Sequence, residues 1–167
     1  MDRRIAKSHE ALHAALAALI VAKGFDNVTI REIAEEANVG RTTFYAHFSS
    51  REALLRHGFE RLRADLAEVA TPTSQPLGFI EPLLRHARSH AGLYWALLGG
   101  SGGRIAEDTF RAIVDERIAV EAIGELERAL LGGAVLGALR HWLANGGAIE
   151  DVAASLRSVA AALPTDR

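Results

Sequence analysis

Five side chains able to form hydrogen bonds, Arg41, Thr42, Thr43, Tyr45 and His47, fall within seven residues and flank Phe44 and Phe48, which are four apart. On a helix that spacing turns both rings to one inward face and leaves the polar set outward. Such a set can recognise a nucleic-acid groove. A guanidinium bridges guanine O6 and N7, and a threonine can donate a hydrogen bond or touch a thymine methyl.

Other constellations offer less. His86 and His90 stand at i, i+4 and could share a metal, but no third ligand at helical spacing joins them and the chain has no cysteine. Ser101 lies among glycines, outside the strand-turn-helix setting that exposes a nucleophilic serine. The carboxylates read as solvated helix faces. No metal site, no cofactor and no enzymatic activity are therefore expected.

The elements that must position the polar helix are legible upstream of it. Ile5, Leu12, Leu16, Leu19 and Ile20 recur at helical spacing between Arg3 and Lys23, and Gly24 stands where a left-handed cap follows a helix. Thr29-Ile-Arg-Glu32 has the form of a capping box, opening a helix of about two turns whose Ile30, Ile33, Ala34 and Ala37 face inward. Asn38-Val39-Gly40 breaks that run, with Asn and Gly tolerant of left-handed backbone and Val39 expected to anchor the corner in the core. Two short helices joined by a tight corner, from Thr29 to Phe48, have the spacing of a helix-turn-helix.

Downstream, Ser49-Ser-Arg-Glu52 reads as a second capping box at the start of a long helix from Arg51 to about Val69. Thr71 to Pro76, with two prolines, is the clearest linker. Helices are expected over Leu83 to Leu98, Thr109 to about Ala119, and Glu121 to Asn145, with a final amphipathic helix through Val152, Leu156, Val159 and Leu163. Gly99 to Gly103 separates the first two, and Pro82 either opens its helix or kinks a longer one. No strand pattern interrupts this series, so the fold class is all-α.

Size and charge set bounds on these readings. A chain of 167 residues with 49% hydrophobic content can close a sizeable core without disulfides. The lack of cysteine fits a reducing compartment, and Met1 to Glu10 has no signal-peptide character, so a cytoplasmic location is expected. No apolar stretch is expected to span a membrane. The net charge of −2 gives no global attraction to nucleic acid. Its distribution leans the right way: through His57 there are eight Lys and Arg against seven Asp and Glu, while residues 71–167 hold nine against eleven.

Gly24-Phe25, Thr29-Ile30, Ile33-Ala34, Ala37, Val39 and above all Thr43-Phe44-Tyr45-Ala46-His47-Phe48, followed by Arg51-Glu52-Ala53-Leu54, resemble the TetR family of repressors over about residues 5–60. Arg51 departs from the lysine more usual there. The resemblance implies Arg41, Thr42 and Thr43 near base edges, Tyr45 and His47 nearer the DNA backbone, and Thr29 and Arg51 clamping phosphates. It implies an N-terminal helix-turn-helix DNA-binding domain over 1–50, a connecting helix over 51–70, and a helical effector-binding and dimerisation domain over 71–167.

For the C-terminal part the same resemblance implies a homodimer joined by the last two helices. Leu131, Val135, Leu139 and Trp142 on one helix, with Val152, Leu156 and Val159 on the next, are the expected interface. The segment Leu130 to Leu143 is apolar around nearly its whole circumference, and Gly132, Gly133 and Gly137 suggest close approach of another backbone. An intramolecular core helix is the alternative. An effector pocket is implied around Phe79, Leu83, His86, His90, Tyr94, Trp95, Leu98 and Phe110; ordinary core residues with polar tips outward would show the same pattern. The resulting expectation is a sequence-specific regulator of double-stranded DNA, a repressor released from a palindromic operator by a small molecule. The alternative is a helix-turn-helix regulator without an effector, controlled by a protein partner or by abundance.

Overall fold

In the computed structural model, the structure describes residues 3–69, 77–98, 103–118 and 123–164. Among them the apolar periodicities become nine α-helices. These are α1 (Arg3–Lys23), α2 (Ile30–Glu36), α3 (Arg41–His47), α4 (Arg51–Val69), α5 (Ile80–Ser89), α6 (Ala91–Leu98), α7 (Gly103–Ile118), α8 (Glu125–Asn145) and α9 (Ile149–Ala162). A short 3-10 turn, Phe25–Asn27, joins α1 to α2. The all-α expectation holds among the described residues, and α1, α3 and α4 span the residues expected of them.

The helices sort into two compact units. Met1–Arg61 with Gly92–Glu107 form the first, and Leu62–Ala91 with Asp108–Arg167 form the second, so the division falls inside α4. The first unit is built on α1, whose Leu12, Ala15, Leu16 and Ile20 are buried with Phe25, Val28, Ile33, Ala34, Phe44, Phe48, Leu54 and Phe59. From Ile5 to Lys23, α1 is by length and composition apolar enough to cross a bilayer, contrary to the expectation that no stretch is. Its inward stripe, Leu12, Ala15, Leu16 and Ile20, is buried in the core of this unit.

The second unit packs α5 against α9 and α8 against α9. Ile80, Leu83, Leu84, Phe110, Val114, Leu131, Val135, Leu139, Ile149 and Leu156 are buried there. Arg157 of α9 pairs with Glu81 in the first turn of α5 at 2.5 Å.

Several boundaries differ from expectation. Pro82 sits in the first turn of α5, where its missing amide leaves no bond unmade. The helix expected from Leu83 to Leu98 is two, because His90 adopts a non-helical backbone (φ −128°, ψ 32°) between α5 and α6. α7 starts at Gly103, six residues earlier than Thr109. α8 starts at Glu125, with Gly124 as its extended cap. The linker Thr71 to Pro76 and the loop glycines Gly99, Gly100 and Gly102 lie outside the described residues.

Candidate nucleic-acid interface

The corner of the helix-turn-helix is made by backbone hydrogen bonds. Thr29 Oγ1 accepts from the Glu32 amide at 3.3 Å while the Thr29 amide donates to Glu32 Oε2 at 3.0 Å, completing the capping box that starts α2. α2 then ends in a Schellman motif: the Val39 amide reaches the Ala34 carbonyl at 2.9 Å and the Asn38 amide reaches Glu35 at 3.0 Å. Asn38 supplies the left-handed residue that this motif needs, with φ 52°. Gly40 does not, since its φ is −70° and it serves as the extended N-cap of α3. Val39 is half-buried, so it anchors the corner less deeply than expected.

Thus positioned, α3 turns Phe44, fully buried, and Phe48 into the core. Arg41, Thr42 and Ala46 are exposed on its outer side, Thr43 is half-buried, and Tyr45 is 52% exposed with its ring edge-on to Phe44 at 5.6 Å. Arg41 has no ion-pair partner among the described residues. These side chains therefore stand together on a helix face free to meet a groove.

His47 is placed differently. Its ring is half-buried and meets His9 of α1 edge-on at 4.8 Å, so it packs toward α1 instead of extending from the outer face. Thr29 is exposed, but its hydroxyl also donates to Glu32 Oε2 at 2.7 Å, so a phosphate contact there would compete with the cap. Lys23 bridges to the same glutamate at 2.6 Å, and these hydrogen bonds push the Glu32 carboxyl down to about 2, the lysine contributing most.

Arg51 is engaged within the chain itself. Its Nη1 donates to the carbonyls of Phe25 (2.9 Å), Asp26 (3.0 Å) and Val28 (2.6 Å), and its Nε to Glu52 at 2.8 Å. The guanidinium carbon lies 4.8 Å from the centroid of the Phe25 ring. The side chain thus fastens the start of α4 to the turn between α1 and α2. The second capping box is also shifted: Ser50, not Ser49, caps α4, accepting from the Ala53 amide at 3.1 Å, while Glu52 pairs with Arg51.

The expected dimer residues divide by face. Leu131, Val135, Leu139, Trp142 and Leu156 are buried within the chain itself, Val152 is half-buried, and Val159 is 45% exposed. A side chain already withdrawn from water has nothing left to bury against a partner, so the inward stripe of α8 is core. The opposite side of α8 carries Leu126 and Leu130, 68% and 56% exposed, with Gly133 and Gly137, where an added Cβ would meet nothing within 4 Å. Gly132 faces inward, and a Cβ there would stand 2.7 Å from an Asp115 carboxylate oxygen, so its close neighbour is a side chain and not a backbone.

The eight expected pocket residues do not share one unit. Phe79, Leu83, His86, His90 and Phe110 belong to the second, whereas Tyr94, Trp95 and Leu98 belong to the first. Phe79, Leu83, Tyr94, Leu98 and Phe110 are buried, His86 is half-buried, and His90 and the half-exposed Trp95 face water. Burial drives the His86 imidazole below its ordinary pKa, assisted by His90, which stacks on it at 4.4 Å. Sequence reasoning missed the histidines of α1 and α4 altogether; the i, i+4 spacing of His9 and His13 was the available signal.

Residues 12–57 match the family described as bacterial regulatory proteins, tetR family. Two curated relatives come from Bacillus subtilis (strain 168). The uncharacterized HTH-type transcriptional regulator YxbF is 32% identical over 80 residues, 47% of this chain and 21% of that protein. YdeS, of the same description, is 30% identical over 114 residues, 68% of this chain and 54% of that protein. The chain thus spans about a fifth and about half of their lengths. Among solved structures, a TetR transcriptional regulator from Streptococcus agalactiae 2603V superposes with a TM-score of 0.75 at 23% identity, covering 95% of this chain and 96% of that one. The helix-turn-helix segment, residues 12–57, thus belongs to the TetR family of bacterial regulatory proteins, and the chain shares the all-helical fold of a TetR regulator along nearly its whole length.

Proposed function

We propose that the protein is a sequence-specific, non-enzymatic transcriptional regulator that works in the cytoplasm as a homodimer on double-stranded DNA. The observation that carries this reading is α3 itself. Arg41, Thr42 and Tyr45 are exposed on a helix held down by buried Phe44 and Phe48 behind a capped α2. A helix of that size fits the roughly 12 Å major groove. Arg41, Thr42 and Thr43 read base edges and Tyr45 contacts the backbone; His47 and Arg51 hold the helix in place.

The two-fold partner docks on the outward face of α8 and α9, through Leu126, Leu130, the Gly133–Gly137 pair and Val159. Two recognition helices about 34 to 36 Å apart address successive major grooves, so the operator is palindromic. We further propose that the protein represses until a small molecule binds within the second unit, near Phe79, Leu83, His86 and Phe110. An effector acts only by binding one arrangement of the heads better than the other. Selection of bound duplexes from a random pool at physiological salt tests the core of this reading. A palindromic motif supports it, and absence of enrichment by folded protein refutes it.

A further inference from the structure

Phe48, at the C-terminal end of α3, is ringed by imidazoles from three helices. His9 and His13 of α1, His47 of α3 and His57 of α4 have ring centroids 4.9, 6.0, 6.5 and 5.4 Å from that of Phe48. They also meet one another: His9 lies 4.8 Å from His47 and 5.2 Å from His57, while His13 stacks on His57 at 5.0 Å. No group of three or more ligating side chains among the described residues has the arrangement of a metal site, which leaves protonation as the chemistry open to this cluster.

We propose that this imidazole cluster is an acid-responsive latch, holding α3 against α1 and α4 while its rings are neutral and releasing it as they take up protons. The geometry limits how many protons the cluster can hold. His13 Nε2 and His57 Nδ1 are 2.8 Å apart in a hydrogen bond, which requires one of the two nitrogens to lack its proton. Protonating both rings would set two N–H groups and two charges against each other at that distance. His9 Nε2 is buried without a hydrogen-bond partner among the described residues, so a charge on that ring would also be poorly solvated.

The charges that shift the His9 and His13 rings are all potential cations. The charges acting on His9 come from His47, His57 and Arg61, and those acting on His13 from His57, Arg61 and His9, all of one sign when protonated. Glu10 on α1 and Glu60 on α4 are exposed. Burial is the larger cause for both rings: it lowers His9, and pushes His13 down to about 4. A base held below its ordinary value is neutral in the folded head and charged when released. The closed state is therefore fully favoured above about pH 6.5 and loses ground as pH falls from there toward 4.

The consequence for DNA rests on α3 being the groove helix, but the test uses protein alone and so succeeds or fails independently of that reading. In the full chain, imidazole resonances are titrated by NMR from pH 8 to 5, and hydrogen exchange of peptides covering residues 41–48 is followed at pH 7.5 and 5.5, corrected for intrinsic rate. The latch predicts that His13 titrates well below 6.5. It also predicts that opening of α3 increases below pH 6.5, approaching about tenfold per pH unit for each proton taken up. In the His13→Gln/His57→Asn variant, whose amides can keep the hydrogen bond without titrating, that slope falls at least by half. His13 titrating at 6.5 or above, or an unchanged slope in the variant, overturns the proposal. Should the variant not fold, the wild-type titration and exchange decide alone.

Discussion

Replacement of Arg51 separates a structural role from a phosphate contact. Its Nη1 has two protons to share among the carbonyls of Phe25, Asp26 and Val28, equivalent to two charge-assisted hydrogen bonds. Such bonds contribute about 1.5 to 3 kcal/mol each, and the Phe25 face adds about 0.5 to 1 kcal/mol. The Glu52 pair, with Arg51 26% exposed, adds under about 1 kcal/mol. Ordering the long side chain costs about 2 kcal/mol. Arg51→Ala should therefore destabilise the protein by about 3 kcal/mol. Arg51→Lys should lose about 1 kcal/mol, because an ammonium can reach one carbonyl but cannot reproduce the fork. Urea unfolding followed by circular dichroism reads both. A phosphate clamp behaves in the opposite way: Arg51→Lys would be silent, and Arg51→Ala would leave stability intact while lowering the salt slope of DNA binding by about 0.9. That second pattern, with Arg51→Ala within about 0.5 kcal/mol of the parent in stability, would refute the structural assignment.

Arg41→Ala should weaken operator binding by about 1 to 3 kcal/mol and relax one base position, whereas equal loss on selected and random duplexes would remove its base-reading role. Thr29→Ala removes the α2 cap and should cost about 1 kcal/mol in urea unfolding; an unchanged midpoint would show that Glu32 and Lys23 suffice to hold the start of the helix. Gly137→Arg enters open space in the single chain, so the fold should persist by circular dichroism while sedimentation shows a monomer in place of a dimer. Retention of the dimer would place the two-fold contact on another face.

What the sequence determined by itself was local. The Thr29–Glu32 cap, the left-handed Asn38 and the four-residue spacing of Phe44 and Phe48 are satisfied within a few residues, so their types alone specify two short helices and the corner between them. The same logic led to Arg41, Thr42 and Tyr45 on an outer face. Periodicity also located α8, but an apolar helix of this kind shows no preferred side. Only the packing of the second unit decided that Leu131, Val135, Leu139 and Trp142 face inward and that Leu130 does not. Arg51 and the imidazole cluster were illegible for a related reason. Arg51 reaches carbonyls 23 to 26 residues upstream, and His13 meets His57 across 44 residues. Contacts over such separations depend on the angles at which helices meet, and those angles are set by the whole core, not by any one segment.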